Sequence, residues 1–163
     1  MQKGKMTFMK PTWLAGVQCY GPYQETVPGA WKTVLDWLDS GAHYEMPDRG
    51  FGLMHSDPRI VAPEQLHYQA GVEVTPQWKP AESSPVSRME FRGGTYTILR
   101  LNGPYSALGE FISNYRDTWV PRLGLCLDSA RPALAIYHSN IRKVAPEDQV
   151  ADVCLPVTAD AAK

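Results

Sequence analysis

Two stretches of this chain are nearly the same. Residues 55–64 read His55-Ser56-Asp57-Pro58-Arg59-Ile60-Val61-Ala62-Pro63-Glu64, and residues 138–147 read His138-Ser139-Asn140-Ile141-Arg142-Lys143-Val144-Ala145-Pro146-Glu147. Seven of the ten positions are identical at an offset of 83. Average residue usage would give about one identity or fewer. Upstream, Gly21-Pro22-Tyr23 recurs as Gly103-Pro104-Tyr105 at an offset of 82, whereas Gly41 and Gly124 agree at 83. One residue is therefore gained between those anchors. Two copies this long do not make a solenoid, which stacks several short repeats. They describe one domain built from two like half-modules with pseudo-two-fold symmetry. The halves span about residues 10–76 and 86–157, and the proline- and serine-rich stretch 76–85 connects them.

Each half reads as a strand, a Gly-Pro-Tyr turn, a helix and two strands. In the first half, residues 13–20 are strand-like and end at Gly21-Pro22, a turn signal. A helix is expected from about Pro28 to Ser40, since proline suits a first helical turn and Gly41 a C-terminal stop. Trp31, Val34, Leu35 and Leu38 make its apolar stripe. Strands follow at 51–55 and about 66–75, separated by the Asp57-Pro58 turn.

The second half opens with a strand at 86–92. The Gly93-Gly94 turn then leads into 95–101, which reads as its paired strand. Ser106 is a candidate N-cap, because its hydroxyl can accept a bond from a first-turn N–H. Leu108, Phe111, Ile112, Tyr115 and Trp119 form the stripe of the second helix, which Pro121 and Gly124 end. The last strands fall at 133–138 and 150–157. Trp37 and Trp119 match at offset 82, yet Trp119 lies in its stripe and Trp37 on a flank.

Composition excludes several functions. Sixteen Lys and Arg against 17 Asp and Glu give a net charge of −1, without the basic excess of a nucleic-acid binder. An acidic DNA mimic is equally excluded, and no helix-turn-helix segment remains once both halves are assigned. Cys19, Cys126 and Cys154 form no CxxC pair, so neither a zinc site nor a thioredoxin-like motif is supported. An odd, widely spaced set points to reduced thiols and a cytoplasmic location. The four histidines (His43, His55, His67 and His138) lack HxH or HxxxH spacing, so no metal site is expected. No GxSxG, Walker or GxGxxG motif appears, so no cofactor is expected. Met1–Lys10 lacks the apolar core of a signal peptide, and no run approaches the roughly 20 apolar residues of a membrane span.

Several motifs in order resemble one family. Thr118-Trp119-Val120-Pro121 is similar to a Glu-Trp-Leu-Pro helix end. Arg131-Pro132 leads into a strand, and Asp152-Val153-Cys154-Leu155-Pro156-Val157 is similar to a closing acidic-Ile-x-Ile-Pro-Val strand. The first half contributes Tyr68-Gln69-Ala70-Gly71-Val72-Glu73-Val74. Over about residues 10–157 the chain resembles the GyrI-like small-molecule-binding domain. That domain forms the effector-binding half of AraC-type regulators and stands alone in SbmC-type gyrase inhibitors. The resemblance implies an α+β fold: two β-α-β-β modules joined into one curved antiparallel sheet, with two helices on one face and a ligand pocket between the halves.

The resemblance also implies that an acidic residue on the last strand faces the pocket, here Asp152. Strand alternation puts Asp152, Cys154 and Pro156 on one face. Where the family usually shows Glu, Asp is one methylene shorter, and Gln69 replaces an Asp common after Tyr. Trp119, Tyr115, Tyr68, Tyr137 and Trp37 are the candidate aromatic walls, because small-molecule pockets are mostly apolar and aromatic faces can hold a cation. Trp31 and Phe111 read as core, and Tyr23 and Tyr105 as structural. The expected function is binding of small lipophilic molecules, cationic ones included, for sensing, sequestration or resistance. Two alternatives are a hydrolase of strained electrophiles using Asp152, and a protein-interaction module directed at DNA gyrase. A transcriptional role would need a separate DNA-binding partner.

Overall fold

The computed structural model describes residues 4–41 and 49–159; His43 lies outside them. In chain order they form β1 (Lys5–Met9), β2 (Thr12–Tyr20), α1 (Tyr23–Asp39), β3 (Gly50–Met54), β4 (His67–Val74), β5 (Ser87–Phe91) and β6 (Gly94–Asn102). A second helix, α2, begins at Leu108–Asn114, passes through a π-helical turn at Tyr115–Trp119 and ends in Val120–Arg122. Strands β7 (Leu125–Leu127), β8 (Ala133–Tyr137) and β9 (Val150–Ala159) complete the chain. Eight strands follow one path, β1-β6-β9-β8-β3-β4-β2-β5, and β7 pairs with the end of β9. All the pairings are antiparallel. The fold is the expected α+β arrangement with both helices on one face.

The duplication is visible in the register. Gln18 lies opposite Gln69 between β2 and β4, and their counterparts Arg100 and Asp152 lie opposite each other between β6 and β9. At the centre, β3 and β8 pair with Gly52 opposite Ala135. Those two residues are themselves counterparts, so the pseudo-two-fold axis passes between them.

One pairing differs from the sequence expectation. β5 does not fold back on β6; it pairs with β2, and β6 pairs with β1. Gly93 (φ 77°) and Gly94 (φ 123°) both take the positive φ that the turn signal implies, yet the chain crosses to the other edge of the sheet instead of folding back. A Cβ on Gly93 would lie 2.2 Å from the Met9 carbonyl oxygen, so the two crossing links pass in contact. Each half thus lends its leading strand to the other. Neither β1 nor β7 is expected from the sequence.

Alternation divides the core. On the helix face, α1 covers Ala15, Ala70 and Val72, and α2 covers Ala135, Val153 and Leu155. The other face carries Leu14, Phe51, Leu53, Phe91, Tyr96, Leu134, Ile136 and Cys154. Phe91 sits at one end of the strand path and Tyr96 near the other, yet their ring centroids are 5.8 Å apart. The sheet is therefore curled with this second face inside. Each such buried apolar side chain contributes about 1.5–3 kcal/mol.

The helices differ from their expected limits. α1 starts at Tyr23, and Pro28 lies inside it, giving up one backbone bond. Ser106 is not an N-cap: Tyr105–Ala107 forms a 3₁₀ turn with no side-chain cap. Gln149 Oε1 instead accepts from the Tyr105 N–H at 2.9 Å. The π-helical turn at Tyr115–Trp119 accommodates the residue gained between the halves, since a π turn is a one-residue insertion in an α-helix. Beyond it the counterpart of Trp37 is Val120, and both are buried, at 9% and 2% exposure. Trp119 is displaced toward the surface. The two tryptophans are not structural equivalents.

Candidate functional site

Two cavities open on the helix face, one beside each helix, and the pseudo-symmetry relates them. The first, about 340 Å³, is walled by α1 and by the turn Ser139–Asn140–Ile141 of the second half. The second, about 500 Å³, is walled by α2 and by the turn 55–61 of the first half. The ten-residue repeat thus has a structural meaning: each copy roofs the cavity of the other half's helix.

The Gly-Pro-Tyr tyrosines hold these roofs. The Tyr105 hydroxyl donates to the Ser139 carbonyl at 2.6 Å and accepts from the Ser139 N–H at 3.1 Å. Tyr23 does the same to Ser56, at 2.8 and 3.3 Å. Each tyrosine also lines its cavity. They do more than cover a sheet end.

The first cavity is the more aromatic. Its floor is Gly50, Val72 and Tyr137, and Trp31, Leu35 and Leu38 of α1 form its wall. Trp31 meets Tyr137 edge-on at 5.0 Å, and Tyr137 meets Tyr105 edge-on at 4.8 Å. The Trp31 Nε1–H donates to the Tyr68 hydroxyl at 2.8 Å. The Tyr68 and Tyr137 hydroxyls are hydrogen-bonded to each other. Burial pushes the Tyr137 hydroxyl up to about 12 and raises that of Tyr68 well above its ordinary value, so both stay neutral. Glycines make room for the rings. A Cβ on Gly50 would lie 2.7 Å from the Trp31 ring, and one on Gly52 would lie 2.4 Å from the Tyr68 hydroxyl. Arg49 is the one charged side chain in this wall among the described residues, and it is paired with Glu73 at 3.1 Å.

The expected site residues fall in different places. Tyr137 lines the first cavity, and Tyr68 stands behind it, fully buried. Asp152 and Cys154 lie on the sheet face away from the helices and line neither cavity. Asp152 is held by Arg100 at 2.9 and 3.2 Å and by His138 Nε2 at 2.8 Å. Burial alone would raise its carboxyl; the Arg100 and His138 hydrogen bonds and charges outweigh that and hold it below its ordinary value. The first half repeats this cluster without charge, with His55 bonded to Gln69 at 2.6 Å and Gln18 to His67 at 3.1 Å. Trp37 packs edge-on against Trp78, and Tyr115 bonds the Thr97 hydroxyl beneath α2. Trp119 lies half-buried under the Arg122 guanidinium, 5.3 Å from its ring. None of these three lines either of the two cavities. Sequence reasoning missed Trp31 and Tyr105. Setting the halves side by side could have exposed Trp31, because its counterpart is Ser113.

Among the described residues, no group of three or more His, Cys, Asp or Glu could hold a metal ion. No helix among them is long and apolar enough to cross a membrane.

This geometry, a duplicated half-module with a cavity beside each helix, has known relatives. The GyrI-like small molecule binding domain matches residues 5–158, and the chain belongs to that family. DNA gyrase inhibitor 1 of Dickeya dadantii (strain 3937) is 27% identical over 129 residues, covering 77% of this chain and 81% of the relative. Among solved structures, SAV2435 bound to tetraphenylphosphonium superposes with a TM-score of 0.70 at 11% identity, covering 96% of this chain and 94% of that one. A hydrolase encoded by lin2189 from Listeria innocua gives 0.65 at 15% identity, over 96% and 92%. At these identities the structural likenesses establish the fold.

Proposed function

We propose that the chain binds small, ring-containing, largely apolar molecules in the cavity beside α1, as a receptor or sink for them. The observation that carries this reading is the linked set Trp31, Tyr68, Tyr137 and Tyr105, three of whose rings wall a cavity of about 340 Å³. Pockets of this size, apolar with a few placed polar groups, suit such ligands. The family's binding of small molecules and the tetraphenylphosphonium held by SAV2435 support it. A cationic ligand would be met by aromatic faces rather than by a carboxylate, because no Asp or Glu lines this cavity among the described residues.

Calorimetric titration with 1-methylnaphthalene and its cationic near-isostere N-methylquinolinium tests the proposal. Both should bind, and Trp31→Ala should weaken both by about tenfold, which is about 1.4 kcal/mol. Unchanged affinity in Trp31→Ala would remove the cavity from the account.

A further inference from the structure

We propose that the cavity beside α2 is a second, chemically distinct site, for amphiphiles with a flexible apolar body and one anionic group. Duplication supplies the cavity, and three replacements give it a different character. Ser113 stands where the first half has Trp31, Ala151 where it has Tyr68, and Met54 where it has Tyr137. The three rings that fill and wall the first cavity are therefore absent, and the second is larger, about 500 against 340 Å³. What remains is mostly aliphatic: Ile112, Leu127, Leu155 and the unbranched, adaptable Met54 line it, and Tyr23 and His55 of the roof side are its aromatic side chains. With the Trp31 and Tyr137 rings replaced, the helix-and-floor side of this wall accommodates an alkyl chain.

The polar side of the wall leans positive. Arg59, Arg116 and Arg131 face the cavity, against Asp57 and Asp128: three guanidiniums to two carboxylates. Arg131 is spent on structure, bonding Asp128 and the carbonyls of Thr95 and Val157. Arg59 is matched by Asp57 through two of its nitrogens and donates a third bond, at 3.0 Å, to Asp117. Arg116 is the available cation. Its side chain is only 13% exposed, and its sole described partner is that same Asp117, at 2.8 and 3.2 Å through Nε and Nη2. Asp117 itself is not in the cavity wall. Nη1 of Arg116 has no hydrogen bond among the described residues. A carboxylate on a bound chain would complete this guanidinium, which has lost most of its water.

Decanoate, with 1-decanol as its uncharged control, is the probe, titrated calorimetrically into the whole chain. Decanoate should bind with a stoichiometry of one. Ser113→Trp, which restores the indole of the other half, should weaken it by about tenfold or more. Arg116→Gln, which removes the charge and keeps a polar side chain of related shape, should weaken decanoate by about tenfold and leave decanol within about twofold. Trp31→Ala should leave decanoate unaffected. No binding of decanoate to the wild type, or binding unchanged in Arg116→Gln, would overturn the proposal. Loss of decanoate binding in Trp31→Ala would also overturn it, because one cavity would then serve both ligands. None of these readouts depends on whether aromatic probes bind beside α1.

Discussion

Arg142 of the second half donates to Asp36 on the helix of the first half at 2.8 Å. It also donates to Asp39, at 2.7 Å. Its counterpart Arg59 reaches Asp117 on α2 at 3.0 Å, so each roof is tied to the opposite helix by an arginine at the same place in the repeat. These pairs are exposed and salt-sensitive, and contribute little to global stability. Their consequence lies in how firmly the roofs close. Arg142→Ala should speed release of an aromatic ligand from the α1 cavity by roughly threefold, while the unfolding midpoint hardly moves. Stopped-flow displacement measures the rate, and 1 M salt, roughly a 3 Å screening length, should mimic the variant. Equal release rates in both proteins at low salt would show that the turn does not gate the cavity.

Gly52 is required by the tyrosines above it. A methyl there would meet the Tyr68 hydroxyl at 2.4 Å and the Tyr137 ring at 3.2 Å. Its counterpart Ala135 is tolerated because Ala151 replaces Tyr68 in the second half. Gly52→Ala should destabilise the fold by about 1–3 kcal/mol through overpacking, read from urea unfolding. It should also weaken aromatic ligands. A stable Gly52→Ala protein with unchanged affinity would mean the tyrosine pair is free to shift.

Asp152 is a structural anchor on the face away from the cavities, so its removal should affect stability and not ligand affinity. Its carboxyl is held below the ordinary value of about 3.9. Stability from its pairing is therefore complete above that pH and is lost as the pH falls through the lower, folded-state value. Asp152→Asn should cost about 1–2 kcal/mol at pH 7, at the low end because Arg100 is half-exposed. The difference from wild type should shrink as the pH falls through that lowered, folded-state value. A large loss of N-methylquinolinium binding in this variant would restore Asp152 to the site.

The three thiols should separate by reactivity. Cys154 is buried, and burial pushes its thiol far up. Cys126 is exposed. Ellman's reagent should titrate Cys126 rapidly, Cys19 slowly, and Cys154 only on unfolding. Rapid reaction of Cys154 would mean that the inner sheet face opens.

The repeat made the architecture legible, because strand period and turn chemistry are local and were stated twice. The exchange of β1 and β5 was not legible, since a Gly-Gly turn signal is local and the exchange depends on where the link through Gly93 and Gly94 lands. Asp152 illustrates the limit for the site. Alternation correctly grouped it with Cys154, but it could not tell which sheet face the helices cover. Trp31 was hidden for the opposite reason, because an apolar stripe on a helix looks the same over a core and over a cavity. Only its replacement by Ser113 in the other half marks it.

The most direct test of ligand binding beside α1 is fluorine NMR of the 5-fluorotryptophan-labelled protein. The chain has five tryptophans, and Trp31→Phe assigns the resonance of interest. Titration with N-methylquinolinium should move the Trp31 resonance saturably, with the Trp13 and Trp119 resonances unmoved. Saturable calorimetric binding with a stationary Trp31 resonance would contradict a site beside α1.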